Sequence, residues 1–278
     1  MMKFVNLGAN ERVPALGMGS WNIGDRQVRR SEEIRSLQRG IDLGMGLIDT
    51  AEMYGEGAAE KRVGEAIAGR RDQVFLVSKL YPHHATKTGT IAACERSLAR
   101  LGTDRIDLYL LHWRGNVPFA ETIGAFERLQ RDGKIRHWGV SNLDPADLAE
   151  LYSSPGGSRV ATNQVLYNLT RRGIEWDLLP WCSKHQLPLM AYSPIEQARL
   201  LDDPHLKKLA VEINKTPAQI ALAWVLSRDQ VIAIPKASNP LHVEENHAAL
   251  ECALDAEVMA RLDALFPPPR RATALEML

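Results

Sequence analysis

The chain is poor in the features that betray a partner or a compartment. Among its 278 residues are three cysteines, Cys94, Cys182 and Cys252, widely scattered and without C-x-x-C or metal-ligand spacing. That pattern argues against a disulfide framework and a cysteine-held metal, and it predicts buried, reduced thiols. No metal site is expected elsewhere. No apolar run reaches the ~18 residues of a membrane-spanning helix. The opening stretch, MMKFVNLGANERVPALG, is too short of apolar residues to be a signal peptide. Charge of one sign is not in excess either: Lys+Arg and Asp+Glu are both 34, for a formal net charge of zero. With no basic stripe or acidic tail, neither nucleic acid nor a membrane surface is an expected partner, and a cytoplasmic location follows. The dinucleotide-binding fingerprint G-x-G-x-x-G is absent throughout.

What the chain does have is a repeat of short apolar runs. Strands are predicted at 15–20, 46–50, 74–80 and 106–113, then at 135–142, 160–165, 188–194 and 231–237. Their starts lie about 25 to 32 residues apart, except for a last gap of about 43, close to the ~30 residues of one strand–helix unit. The helices between them carry end signals. Ser31-Glu32-Glu33 opens one and Gly44 closes it; residues 86–102 place Ile91, Cys94, Leu98 and Leu101 on one face and end at Gly102. Asp144-Pro145 and Thr216-Pro217 each put a capping side chain before a proline at the first helical position, where the missing N–H costs nothing. The long last gap is filled by an additional helical stretch, DPHLKKLAVEINK. Eight strands that are apolar on both faces, each followed by a helix, predict a closed parallel (β/α)8 barrel. A hairpin at KFVNLGANERVPALG, turning at Gly8-Ala9-Asn10, should cap its bottom. The tail at 267–278 should be irregular, and no linker marks a second domain, so residues 1–278 are expected to form one.

In such barrels chemistry gathers at the C-terminal ends of the strands. The polar residues there are Asp49, Lys79 and His112, separated by 30 and 33 residues, about one repeat each. Neighbouring strands lie ~4.8 Å apart, so the three can meet. A carboxylate at the edge of a core is costly unless a cation or donors meet it, and Lys79 is the candidate partner of Asp49. Tyr54, in the glycine-rich turn of GLIDTAEMYGEG, can reach the same point. Taken singly, an Asp, Lys or His at a strand end is commonplace, and a Lys–Asp pair can be a plain salt bridge at the barrel rim. Together, an ammonium should stabilise a neighbouring phenolate and make Tyr54 a stronger acid, while an imidazole orients a carbonyl oxygen.

GMGLIDTAEMYGEG, VSKL, LYLLHW, WGVSN, NQVLYN, AYSP and IPKASNPLHVEEN resemble, in order and along essentially the whole chain, the motifs of the aldo-keto reductase family. The shorter loops are similar to those of bacterial members acting on methylglyoxal or 2,5-diketo-D-gluconate. The resemblance implies carbonyl reduction by NADPH held on the barrel itself. It implies Tyr54 as general acid, tuned by Lys79 and Asp49, with His112 orienting the carbonyl. Ser141, Asn142 and Gln164 match residues that hold the nicotinamide carboxamide, and Tyr192 matches the ring stacked on the nicotinamide. Ser20, Trp21 and Ile234 belong to the implied cofactor contacts, as do Ser193, Pro194 and Ile195 against the pyrophosphate. Trp21 and Trp113 resemble the apolar walls of the substrate pocket. Without the family, Ser141-Asn142 reads as a helix-capping turn and Tyr192 as core. A Schiff-base enzyme using Lys79 and a non-catalytic cofactor-binding barrel are the competing readings.

Two departures bear on specificity. Members that prefer NADPH commonly read Lys-Ser-x-x-x-x-Arg after the last strand, where this chain has Lys236, Ala237 and His242 in those places. Arginine offers a permanent bidentate fork to a 2′-phosphate; a histidine near neutral pH offers a fractional charge. Lys236 remains, Ser238 or Asn239 can replace the lost hydroxyl, and Glu245 and Asn246 match adenine contacts, so NADPH is expected with a smaller preference over NADH. The loop after Trp113 and the tail are also short, which predicts an open pocket for small aldehydes and ketones. Nothing resembles an oligomerisation motif, so a monomer is expected.

Overall fold

The computed structural model of the chain describes residues 2–8 and 11–278. Strands β1 (Phe4–Leu7) and β2 (Glu11–Pro14) pair antiparallel, as the predicted hairpin requires. Of its turn, Gly8 is described, whereas Ala9 and Asn10 lie outside the described residues. Eight short strands follow: β3 (Met18–Gly19), β4 (Leu47–Asp49), β5 (Phe75–Leu80), β6 (Ile106–Leu111), β7 (Ile135–Ser141), β8 (Asn163–Leu166), β9 (Leu189–Tyr192) and β10 (Val231–Ala233). They are parallel neighbours in chain order. The ends of this sheet meet: Leu16 and Gly19 bridge to Ala233 and Lys236, and the Ala233 N–H donates to the Ala15 carbonyl at 2.8 Å. That closes the barrel.

Seven of the eight strands fall within their predicted runs with the ends trimmed, and β8 overruns its predicted end at 165 by one residue. The predicted start at 160 moves to Asn163, and the last run stops at Ala233 rather than 237, because Pro235 has no N–H to continue a ladder. β5 and β6 are buried along their full length, including Ser78, Lys79 and Asp107, and each of these has a bonding partner. The side of the strands facing outwards is covered by helices α1 (Arg30–Asp42), α2 (Ala58–Ile67), α3 (Lys87–Leu101), α4 (Phe119–Arg131), α5 (Pro145–Ser153) and α6 (Leu178–Lys184). Helices α7 (Pro204–Glu212) and α8 (Pro217–Leu226) both lie in the long gap before β10, and α9 (Pro240–Ala248) and α10 (Ala256–Leu265) follow it.

Most of the predicted end signals act as such; Ser31 does not, because α1 begins at Arg30 and Ser31 lies inside its first turn with no capping bond. Asp144 Oδ1 accepts from the Asp147 N–H at 2.9 Å, and Thr216 forms a reciprocal capping box with Gln219. Gly102 ends α3 at φ +64°, a conformation that glycine adopts without strain. Such caps are worth about 1 kcal/mol each. At the base, Val5, Leu7 and Val13 of the hairpin are buried against the core, and Glu11 pairs with Arg136 at the start of β7. The hairpin therefore covers the end of the barrel away from the strand C-termini. All three cysteines are free and buried, and burial pushes the Cys94 and Cys182 thiols up to about 12.

Candidate active site

β4 delivers Asp49 as its last residue, and β5 delivers Lys79 one residue before its end. Lys79 Nζ donates to Asp49 Oδ2 at 2.8 Å, to the Thr50 carbonyl at 2.8 Å and to Tyr54 Oη at 3.0 Å. All three ammonium hydrogens are thus engaged. Asp49 Oδ1 accepts from Gln164 Nε2, also at 2.8 Å, so both carboxylate oxygens are satisfied inside the core. Tyr54 arrives through a turn in which Gly55 and Gly57 have φ of +55° and +89°. At Gly55 a Cβ would also stand 2.7 Å from Asp25 Oδ1, so glycine takes this conformation with the least strain. His112 follows β6 directly, its N–H donating to the Leu80 carbonyl, and its ring lies edge-on to Tyr54 at 5.8 Å.

The electrostatics follow from burial. Desolvation raises the Asp49 carboxyl against the pull of Lys79 and Gln164. Burial alone would lower Lys79, but Asp49 and Tyr54 together outweigh it and leave the ammonium raised. The expected acid strengthening of Tyr54 is not found: its phenol lies above the usual tyrosine value. Burial is the largest cause, and Asp49 cancels part of the help from Lys79, because the ion pair as a whole is neutral. His112 is pushed down to about 2 by burial and by Lys79, so it is a neutral imidazole. Its Nδ1 is buried without a partner, which leaves Nε2 as the nitrogen able to meet a ligand.

Asp49, Tyr54 and His112 line the floor of a cavity of about 650 Å³, with Lys79 buried behind them. Twelve of the predicted cofactor positions line it. Asp49, Ser141, Asn142, Gln164 and Tyr192 form its floor, and Ser20, Trp21, Ile234 and Lys236 stand on the β3–β10 side. Ser193, Pro194 and Ile195 follow β9. Ser141 Oγ donates to the Gln164 carbonyl at 2.8 Å, and Tyr192 Oη donates to Asn142 Oδ1 at 3.0 Å, so the amide group is fixed in advance. Trp113 and Trp21 are also in the wall. Ala237, Ser238, His242, Glu245 and Asn246 lie beyond it, and Asn246 is buried in the packing of α9.

Several contributors were not legible from the sequence. Met277 and Leu278 line the cavity while staying half exposed, so the tail, expected to be short and irregular, also contributes to the wall. Gln197 and Ala198 line it with Ser193, and all three have positive φ, in a segment bent by turns in which the Glu196 and Ala198 N–H groups donate to the Ser193 and Ile195 carbonyls. A signal existed for neither: positive φ at non-glycine residues is not written in residue type. The cavity suits an elongated, phosphate-bearing cofactor. Its floor offers amides and an aromatic face, Ser20 Oγ is buried at its wall without a partner, and Lys236 stands at one end.

Residues 15–266 match the model of the Aldo/keto reductase family. The chain belongs to the aldo/keto reductase family. Among curated relatives of this reductase, methylglyoxal reductase YeaE of Escherichia coli (strain K12) is 52% identical over 281 aligned residues, 99% of each chain. Glyoxal reductase of Bacillus subtilis (strain 168) is 34% identical, covering 94% of this chain and 92% of its own. Among solved structures, an aldo/keto reductase from Klebsiella pneumoniae in complex with NADP and acetate superposes with a TM-score of 0.97, at 50% identity and full coverage of both chains.

Proposed function

We propose that this reductase converts small aldehydes and ketones, methylglyoxal-like dicarbonyls among them, to alcohols with NADPH, Tyr54 providing the proton. Bound NADPH supplies the hydride to the carbonyl carbon. The observation that carries the reading is the Lys79–Tyr54 contact. An ammonium only donates, so at 3.0 Å the phenol oxygen accepts and its own O–H is free to point into the cavity. The raised phenol keeps that proton in place at neutral pH. When Tyr54 releases it, the phenolate forms against a fixed ammonium in a dry site, where such a charge is stabilised most. Asp49 keeps Lys79 charged, and Gln164 keeps Asp49 aligned. His112, being neutral, is not a competing acid; its Nε2–H orients the carbonyl oxygen.

Ser141, Asn142 and Gln164 present the polar groups for the nicotinamide carboxamide, and Tyr192 its stacking face. Ser193, Pro194 and Ile195, on the bent segment that follows β9, would lie against the pyrophosphate. Lys236 would meet the 2′-phosphate, with Ala237, Ser238, His242, Glu245 and Asn246 towards the adenosine end, which supports NADPH over NADH by a modest margin. The unpaired thiols support a cytoplasmic location. Schiff-base chemistry is disfavoured, because Lys79 is fully buried and held as an ammonium, the unreactive form.

The test is the loss of reduced-nicotinamide absorbance with methylglyoxal, NADPH and NADH being run in parallel. Faster loss with NADPH is expected. No loss with methylglyoxal or any other small aldehyde, while NADPH still binds, would turn the reading to a binding protein.

A further inference from the structure

Arg171 stands in the loop after β8, outside the wall of the large cavity, yet its guanidinium holds two segments that build that wall. Nε and Nη2 donate to Glu196 Oε1 at 3.1 and 2.9 Å, and Nη1 donates to Glu276 Oε1 at 2.6 Å. Glu196 is only 5% exposed. Its second oxygen accepts from Asn168 Nδ2 at 2.8 Å, and that amide also donates to the Ser193 carbonyl at 2.9 Å. Asn168 Oδ1 in turn accepts from the Thr170 and Arg171 N–H groups, so the loop carrying Arg171 is itself fixed. Arg199 also reaches Glu196, but from a side chain that is 57% exposed.

The backbone explains why a carboxylate is buried here. Ser193, Glu196, Gln197 and Ala198 have φ of 47°, 51°, 53° and 70°, and none of them is glycine. Left-handed conformations at such residues persist only when the surroundings over-determine them. The bonds to Glu196 supply that determination together with the turn bonds from the Glu196 and Ala198 N–H groups to the Ser193 and Ile195 carbonyls, and Ser193, Ile195 and Gln197 face the cavity. On the other arm, Glu276 is followed by Met277 and Leu278, which face the same cavity. The Leu278 backbone approaches the Tyr192 hydroxyl, so the tail lies over the end where the carbonyl substrate would sit.

We propose that Arg171 is a positioning residue that clasps the cofactor-side loop, through Glu196, to the substrate-side tail, through Glu276, and so couples cofactor affinity to substrate affinity. The proposal rests on the NADPH-dependent reading of the site. A loop seated by the cofactor fixes Glu196, which fixes the guanidinium, which fixes Glu276 and the two residues after it. The coupling is reciprocal by thermodynamic necessity. Lysine cannot replace arginine here, since a point charge cannot hold two carboxylates in a fixed fork.

The experiment measures NADPH binding by calorimetry and methylglyoxal turnover under steady state for Glu276→Gln, Arg171→Met, Arg171→Lys and the Arg171→Met/Glu276→Gln pair. Glu276→Gln should raise KM for methylglyoxal about fivefold and weaken NADPH binding about threefold, with kcat within about twofold. Arg171→Met should weaken both by about tenfold, and adding Glu276→Gln to it should change nothing more. Arg171→Lys, which keeps the arm to Glu196 and loses the arm to Glu276, should match Glu276→Gln, with KM raised about fivefold and NADPH binding weakened about threefold. Raised KM in Glu276→Gln with unchanged NADPH affinity would overturn the coupling, as would additive effects in the double variant. If Arg171→Met does not fold, as judged by circular dichroism, Glu276→Gln and Arg171→Lys decide by the same criteria. Absent NADPH binding by the wild-type chain would instead sink the functional reading, and the clasp with it.

Discussion

At the centre of the barrel, the side chains of Lys79 and Asp49 are 0% and 3% exposed, and both carboxylate oxygens and all three ammonium hydrogens are bonded. At the β10 end, Lys236 is half-buried without such a network and His242 is exposed on α9. The contrast reflects two physical tasks. A proton-transfer site needs fixed charges in a dry place, and strand ends supply them because neighbouring strands hold side chains in register. Recognition of a cofactor's far end needs only complementary surface charge, which solvent screens and mutation shifts cheaply. The centre should therefore respond to substitution by orders of magnitude, and the rim by small factors.

Tyr54→Phe is the sharpest test of that contrast. Removing one hydroxyl should lower turnover about a thousandfold while NADPH affinity stays within about twofold, measured by steady-state rates and calorimetry. Activity near the wild-type level would remove Tyr54 from the acid role. Lys79→Met comes next, because it leaves a carboxylate buried without its cation, which costs about 3 to 5 kcal/mol of stability. Asp49 can relieve this by taking up a proton, since burial already raises it. A carboxyl with a raised folded-state pKa binds more protons folded than unfolded, so stability falls as pH rises. The urea-unfolding deficit of Lys79→Met should hence be larger at pH 8 than at pH 5. A deficit independent of pH would mean that Asp49 stays charged or finds another donor.

How much of this was readable in the residues follows the same division. The eight strands were legible because apolar runs recur with the period of a strand–helix unit, and Asp49, Lys79 and His112 because each ends such a run. The capping roles of Asp144 and Thr216 were legible because a local side-chain–backbone bond needs only sequence neighbours. Gln164 could be named from its resemblance, but its bond to Asp49 spans 115 residues and has no local trace. The tail is a clearer case. Residues 267–278 form neither helix nor strand, so no periodicity marks them, and long-range contacts such as the Arg171–Glu276 pair bring Met277 and Leu278 to the cavity. The weaker acidity of Tyr54 was misread for a different reason: the sequence identifies the cation beside it, not the depth of burial that opposes it.

His112 allows a gentler test at the centre. Its folded-state pKa is pushed down to about 2, against about 6.5 for an unperturbed histidine. The unfolded chain therefore binds the extra proton between those values, and stability from this group is full above about pH 6.5 and lost as pH falls. Between pH 7 and pH 5.5 that loss is about 1 kcal/mol. His112→Gln should lack this component, so the stability difference between variant and wild type should shift in the variant's favour by that amount at the lower pH. No shift would mean that His112 is charged or exposed enough to titrate normally, and its role as a neutral donor would fall.

The smallest effect belongs at the rim. His242→Arg adds a permanent, forked charge near Lys236, whose own ammonium burial lowers, with Arg29 adding to that and Glu33 opposing. Arginine can grip a phosphate with two parallel bonds where an imidazole offers one. On an exposed helix the gain should be under about 1 kcal/mol, or three- to fivefold in the ratio of NADPH to NADH affinity, measured by calorimetry at low salt and lost largely at high salt. A gain of a hundredfold would show that this end is as enclosed as the centre when the cofactor is bound, and would erase the contrast between the two. No gain would mean that α9 holds its first turn too far from the 2′-phosphate, leaving Lys236 to make the discrimination alone.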